Sequence, residues 1–124
     1  MNVVLWVIAG LLSLTFLVAG VMKLARPGKD LAASGMTWAG DFPGGTVKII
    51  GVLEVLASAG LILPPVTGIA PPLAPLAALG ITLLMAGAVV VHARRGEHAT
   101  IAVNAVLLVL AALVAWGRFG PYAF

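Results

Sequence analysis

Four polar side chains fall within or at the ends of long apolar stretches of this sequence. These residues are Lys23, Glu54, His92 and Asn104, and each stretch contains one of them. A charged side chain at the centre of a membrane-spanning helix costs about 2.5–3.5 kcal/mol on an insertion scale, so ionisable residues there are functional or closely paired. An ammonium, a carboxylate, an imidazole and an amide could form an ion pair and hydrogen-bond a polar ligand. No nucleophile-elbow, phosphate-loop or HExxH pattern is present, so we predict neither catalytic residues nor a metal site.

The composition indicates a membrane protein. Of 124 residues, 62% are hydrophobic and 9% are charged, and the mean hydropathy is +1.18. Soluble domains are about 45–50% apolar and 25% charged, and small ones bury only about two-thirds of their surface. These values exclude a soluble globular or disordered protein and make the lipid bilayer the first partner. The basic residues lie near predicted helix ends and form no stripe, which excludes nucleic acid as a partner.

Four apolar runs are long enough to cross a bilayer, since a spanning helix needs about 20 residues. Prolines and glycines separate the runs, and Pro64-Pro65 predict the end of the second helix. We therefore predict one all-α membrane domain over residues 1–124, a four-helix bundle with helices at about residues 3–24, 46–63, 72–93 and 99–116. In the long link between the first two helices, Leu31 to Trp38 is predicted to form a short interfacial helix, anchored by Trp38 and Phe42.

The basic residues predict the orientation. Six of the seven fall on the side of the bundle that carries this long link, namely Lys23, Arg26, Lys29, Lys48, Arg94 and Arg95, and only Arg118 falls on the other. The positive-inside rule then places the long link in the cytoplasm and both termini outside. An aromatic belt is predicted on the outer side, from Trp6, Trp116, Phe119 and Tyr122.

Helix geometry predicts that the four polar side chains meet. Side chains lean toward the N-terminus of their helix. Lys23 and Glu54 lie on antiparallel helices and therefore lean toward the same depth, which predicts a salt bridge. His92 and Asn104 are expected in the same layer, with Asn104 donating to the carboxylate, while Lys48 should reach the interface. Two interpretations stay open: the cluster fixes helix register, or it forms a ligand or proton site.

Several short motifs, spread in order along the chain, resemble one known family. They are Gly20-Val-Met-Lys23-Leu24, Val47-Lys-Ile-Ile-Gly51-Val-Leu-Glu54, Leu61-Ile-Leu-Pro64, Leu76-Ala-Ala-Leu-Gly80-Ile, Met85-Ala-Gly-Ala88, His92-Ala-Arg-Arg-Gly-Glu97 and Trp116-Gly-Arg-Phe119. Together they resemble the DoxX-like family, in particular its short actinobacterial members. The resemblance implies a four-helix, multi-pass protein of the bacterial inner (plasma) membrane. The family takes its name from a subunit of a thiosulfate:quinone oxidoreductase. The resemblance also implies that the four polar positions match the family's recurrent polar residues.

Two kinds of function fit these observations. One is binding of a lipophilic molecule, a quinone or a lipid, in or beside a membrane redox system, with the polar cluster holding its head and apolar walls its tail. The other is a non-catalytic accessory subunit or assembly factor of a membrane complex, favoured by the small extramembrane surface. The sequence encodes no cofactor and has no cysteine for a thiol relay, so we expect no catalysis by the chain alone. A redox-complex partner and a homo-oligomer both stay open.

Overall fold

The computed structural model describes residues 1–26, 28–33 and 37–124. Five α-helices and one 3-10 helix follow in chain order: α1 (Asn2–Ala25), α2 (Gly28–Ala33), the 3-10 helix (Thr37–Asp41), α3 (Gly44–Thr67), α4 (Leu73–Arg94) and α5 (His98–Phe119). Within the described ranges there is no strand. The predicted all-α fold with four long helices is confirmed.

The four long helices have the length and composition of membrane spans. Each has 22–24 residues, which is about 33–36 Å of helix and sufficient for the hydrocarbon core. Their most apolar windows have mean hydropathies of 2.0–2.4. Large apolar side chains cover their outer faces, for example Leu11, Leu56 and Leu83, which are 59–66% exposed. An outer surface of this kind is stable only against lipid, so the chain is a multi-pass membrane protein.

The spans form a ring of neighbours in the order α1, α3, α4, α5. α1 packs closely on α3, and α4 on α5, while α3 contacts α4 and the contact of α1 with α5 is sparser. The main apolar core fills the half of the bundle near the chain termini. Its fully buried side chains include Leu5, Leu12, Phe16, Leu61, Ile81 and Val114. The other half contains the polar side chains.

A glycine contact sets the distance between α1 and α3. A Cβ atom on Gly20 would lie 2.8 Å from the carbonyl oxygen of Gly51 and 2.8 Å from a methyl carbon of Val55. Such a contact lets two helix backbones approach each other closely, as small residues do in membrane bundles. It lies one turn from Lys23 on α1 and from Glu54 on α3, so it brings these two side chains within reach.

The predicted end of the second helix at Pro64-Pro65 is wrong, because α3 continues through both prolines to Thr67. Each proline removes the backbone donor for the carbonyl four residues before it, those of Gly60 and Leu61, and prolines are tolerated within membrane helices more readily than in soluble ones. Further along, the Thr67 hydroxyl donates to the carbonyl oxygens of Leu63 at 2.7 Å and Pro64 at 3.3 Å, near the end of the helix. Gly68, with φ of 76°, then ends the helix in the left-handed conformation.

The link between α1 and α3 differs from the single short helix predicted over Leu31 to Trp38. α2 ends at Ala33 and the 3-10 helix begins at Thr37, while residues 34–36 lie outside the described residues. Leu31 is buried in a small apolar cluster with Ala39 and Val47, against which Met22, Trp38 and Phe42 also pack. The link is therefore held on the bundle by apolar contacts at the start of α3.

Candidate functional site

The predicted contact between Lys23 and Glu54 is present. The ammonium Nζ of Lys23 lies 2.8 Å from Oε1 of Glu54, and the two side chains are only 8% and 3% exposed. Both side chains lean toward the N-terminal ends of their antiparallel helices, and the glycine contact beside them holds the helices close enough to pair. The pair is electrically neutral as a whole, which lowers the cost of burying its two charges.

A cavity of about 520 Å³ lies against this pair. All four predicted polar residues line it, together with mostly apolar side chains from α1, α3, α4 and α5. The apolar lining includes Phe16, Leu83, Leu84, Met85 and Leu107. Phe16 and Met85 also belong to the main apolar core, so they close the cavity toward the chain termini. Among the described residues there is no group of three or more acidic or histidine side chains that could hold a metal ion.

His92 lines the same cavity but bonds to a residue that sequence reasoning missed. Its Nδ1 lies 3.1 Å from Oε1 of Glu97, and Nε of Arg95 donates to the same oxygen at 2.7 Å. Gly96 allows this contact because its φ of 70° turns the chain back between α4 and α5. The five-residue spacing across a glycine turn was the available signal for Glu97. His92 is thus held at the cavity wall by the turn and makes no bond to Glu54.

Asn104 is buried at the cavity wall, but the predicted hydrogen bond to Glu54 is not formed. Its side-chain Nδ2 atom is fully buried and has no hydrogen-bond partner. Buried amide groups are almost always bonded, because an unmet donor costs about 1–3 kcal/mol. The two N–H groups of this amide are therefore unpaired, on a side chain that lines the cavity.

Trp38 of the 3-10 helix lies at the cavity edge beside the polar groups. Its ring centroid is 5.7 Å from the Lys23 ammonium and 6.4 Å from the His92 ring, which meets it edge-on. An indole at this distance stabilises a buried cation through its negative ring face. The link between α1 and α3 thus contributes a wall to the cavity through Trp38, which was predicted to anchor a segment covering the mouth of the bundle.

Lys48, which was predicted to reach the interface, extends to the C-terminal end of α1. Its Nζ donates to the carbonyl oxygens of Lys23 at 2.8 Å, Leu24 at 2.9 Å and Arg26 at 2.8 Å. The last carbonyls of a helix have no intrahelical partner and carry partial negative charge. Lys48 therefore caps the C-terminus of α1 from the first turns of α3 and fixes the end that carries Lys23.

We predict that Lys48→Met destabilises the protein by about 1–3 kcal/mol, because the variant leaves the carbonyl groups at the end of α1 without their charged donor. The measurement is the melting temperature of the detergent-purified protein. Lys29→Met is the matched control, since it removes the same charge from an exposed position of α2 and should leave the melting temperature nearly unchanged. Equal effects of the two variants would contradict the capping role.

Four antiparallel spans around a cavity with a buried ion pair define a small multi-pass helical membrane protein. The family model described as the DoxX-like family matches residues 7–114, which include the four polar residues of the cavity and most of each span. The chain belongs to the DoxX-like family. No curated protein and no solved structure matches it significantly.

Proposed function

We propose that this DoxX-like protein binds a lipophilic molecule, a quinone or a lipid, with the head of the molecule in the polar-lined cavity. The observation that carries the proposal is the free Asn104 amide on the wall of a cavity of about 520 Å³. This volume lies within the range of small-molecule sites, about 300–1,000 Å³. The setting in or beside a membrane redox system rests on the family resemblance alone.

The chemistry of the wall favours a neutral head with an oxygen acceptor. Lys23 and Glu54 neutralise each other, so the cavity has no uncompensated charge from this pair to attract an ion. The Asn104 amide donates hydrogen bonds, and a quinone carbonyl or a lipid ester carbonyl accepts them. Leu84 and Leu107 offer apolar surface to the rest of the molecule.

The position of the cavity supports entry from the bilayer. Thr15, Leu83 and Gly87 line it, and all three are exposed on the outer surface of the bundle. Leu83 is 66% exposed, so part of the wall is continuous with the surface that faces lipid. A lipophilic molecule dissolved in the membrane reaches such a wall without crossing water.

The test uses decyl-ubiquinone as probe, with the protein in lipid nanodiscs. Binding is measured by the rise in melting temperature with probe concentration, and organic extracts of gently purified protein are examined by mass spectrometry. We expect Asn104→Leu to weaken binding several-fold, up to about tenfold, as expected for loss of one or two neutral hydrogen bonds. Thr82→Val is the control, because it removes a hydroxyl on α4 that bonds the Ala78 carbonyl outside the cavity.

Two results would overturn this proposal. One is equal binding of the probe, or equal retention of a co-purified lipophile, by wild type and Asn104→Leu. The other is wild-type protein that binds no lipophile but co-purifies with a stoichiometric protein, which would favour the accessory-subunit role. Loss of binding in Asn104→Leu alone, with Thr82→Val unchanged, supports the assigned site.

We also propose that the end of the bundle with the polar cavity faces the cytoplasm in a bacterial inner membrane. The support is the charge distribution, six basic residues against Arg118 alone. A C-terminal reporter that is active only in the cytoplasm should therefore stay silent. Strong activity of this reporter, in a fusion that reaches the membrane, would reverse the orientation.

A further inference from the structure

The opposite end of the bundle holds a buried arginine with unused donors. Arg118, in the last turn of α5, is only 5% exposed. Its Nη1 donates to Oδ1 of Asn2 at 2.6 Å and to the carbonyl oxygen of Tyr122 at 2.9 Å, which uses both hydrogens of that nitrogen. Its Nη2 is fully buried and has no partner. One edge of the guanidinium is therefore left without an acceptor.

No aspartate or glutamate of the chain lies near this arginine. The sequence contains four: Asp30 is in α2 and Asp41 is in the 3-10 helix. Glu54 pairs with Lys23, and Glu97 with Arg95 and His92. Asp30, Asp41 and Glu97 lie at the other end of the bundle, and Glu54 lies near the middle of α3. No ion pair to Arg118 is formed among the described residues, and a buried charge without a paired carboxylate is costly, so an anion in contact with the guanidinium would stabilise Arg118.

A second cavity, beside Arg118, could hold such an anion. It measures about 220 Å³ and is lined by Arg118, by prolines of the turn between α3 and α4 with the start of α4, and by Phe119 and Phe124. The ring centroid of Phe124 is 4.0 Å from Cζ of Arg118, and that of Trp6 is 5.6 Å away. Such contacts hold the guanidinium in place, and Nη2 is the part of it that has no hydrogen-bond partner.

We propose that this cavity binds a phosphate group, and that the phosphodiester of an anionic phospholipid supplies it. Arginine binds phosphate through short, charge-assisted hydrogen bonds. Arg118 lies where the spans end, which is the depth of lipid head groups. Exposed apolar side chains beside the cavity, such as Leu73 and Phe119, provide surface for the acyl chains. The site is independent of the proposed quinone or lipid site, because it lies at the opposite end of the spans.

The experiment compares nanodiscs of phosphatidylcholine alone with nanodiscs that also contain phosphatidylglycerol. Thermal stability is measured in both, and native mass spectrometry counts the phospholipid molecules retained after detergent release. We expect phosphatidylglycerol to stabilise the wild-type protein and to remain bound to it. Arg118→Gln should weaken this retention about tenfold or more, the change expected for a charge-assisted hydrogen bond. Arg94→Gln removes a charge from an exposed position and should retain the lipid as wild type does.

A separate arm adds inorganic phosphate to the wild-type protein in phosphatidylcholine. Stabilisation by inorganic phosphate equal to that by phosphatidylglycerol would overturn the lipid as the source. Equal phosphatidylglycerol retention by wild type and Arg118→Gln would overturn the site. If Arg118→Gln does not fold, the wild-type protein alone provides the test. Equal thermal stability of the wild-type protein with and without phosphatidylglycerol would then overturn the proposed site. Arg118→Lys keeps the charge but loses the planar donor edge, so it should bind with intermediate strength.

Discussion

Lys23→Met and Glu54→Gln should each lower the melting temperature of the detergent-purified protein, and the double variant should recover part of the loss. Each single change leaves the partner buried without its counterpart, and breaking a buried pair costs about 3–5 kcal/mol. Glu54→Gln and Lys23→Met nearly keep the side-chain volumes, so cavity formation adds little. Replacing both partners removes both desolvation costs, and such replacements are often close to neutral.

The control for this cycle is the pair Arg95 and Glu97, whose side chains are 26% and 28% exposed. Its coupling energy should be about 1 kcal/mol or less, as for other partly exposed ion pairs. Strictly additive losses from Lys23→Met and Glu54→Gln would contradict a coupled buried pair. The double variant also separates two roles of the cluster: loss of a lipophile that co-purifies with the wild type would indicate a binding role, whereas its retention would indicate a structural one.

Gly20→Ala should also destabilise the protein strongly. The added methyl group would lie 2.8 Å from the carbonyl oxygen of Gly51 and 2.8 Å from a side-chain carbon of Val55. The carbonyl belongs to a helix backbone, so α1 and α3 must move apart. Overpacking of this kind costs about 1–3 kcal/mol or more, and the same movement would lengthen the Lys23–Glu54 contact. We expect a lower melting temperature and weaker coupling of that pair.

Gly10→Ala is the matched control for the glycine contact. It lies on the same helix, and a Cβ there meets nothing within 4 Å. Because alanine has a higher helix propensity than glycine, by about 1 kcal/mol, this variant should be as stable as wild type or slightly more stable. If Gly20→Ala and Gly10→Ala melted at the same temperature, the close approach of α1 and α3 would not contribute to stability.

The sequence predicted the features that depend on one helix at a time. Hydropathy was sufficient for the four spans, since length and apolarity alone decide which segments can cross a bilayer. Lys23 and Glu54 were found because the depth and lean of a side chain follow from its place in a helix. The end predicted at Pro64 and Pro65 was wrong, because the rule that proline ends a helix comes from soluble proteins, whereas membrane helices tolerate prolines within them.

The parts of the site that were missed depend on how helices and turns meet in space. Lys48 caps α1 only because α3 crosses beside the end of that helix. His92 bonds Glu97 because the turn at Gly96 brings these two residues together. The unbonded amide of Asn104 belongs to a side chain that lines a cavity between four helices. Sequence periodicity contains no information about such a volume, because it depends on how closely every neighbouring side chain packs.

The division of the bundle into a packed half and a hollow half has a consequence for transport. Leu5, Leu12, Leu61 and Val114 are at most 1% exposed and fill the half near the termini. The cavity beyond them ends at Phe16 and Met85, so it is blind at that end. Under the proposed function, a bound molecule would enter and leave through the other end of the bundle or through the lipid-facing wall at Leu83. The cavity would then hold its ligand without connecting the two faces of the membrane.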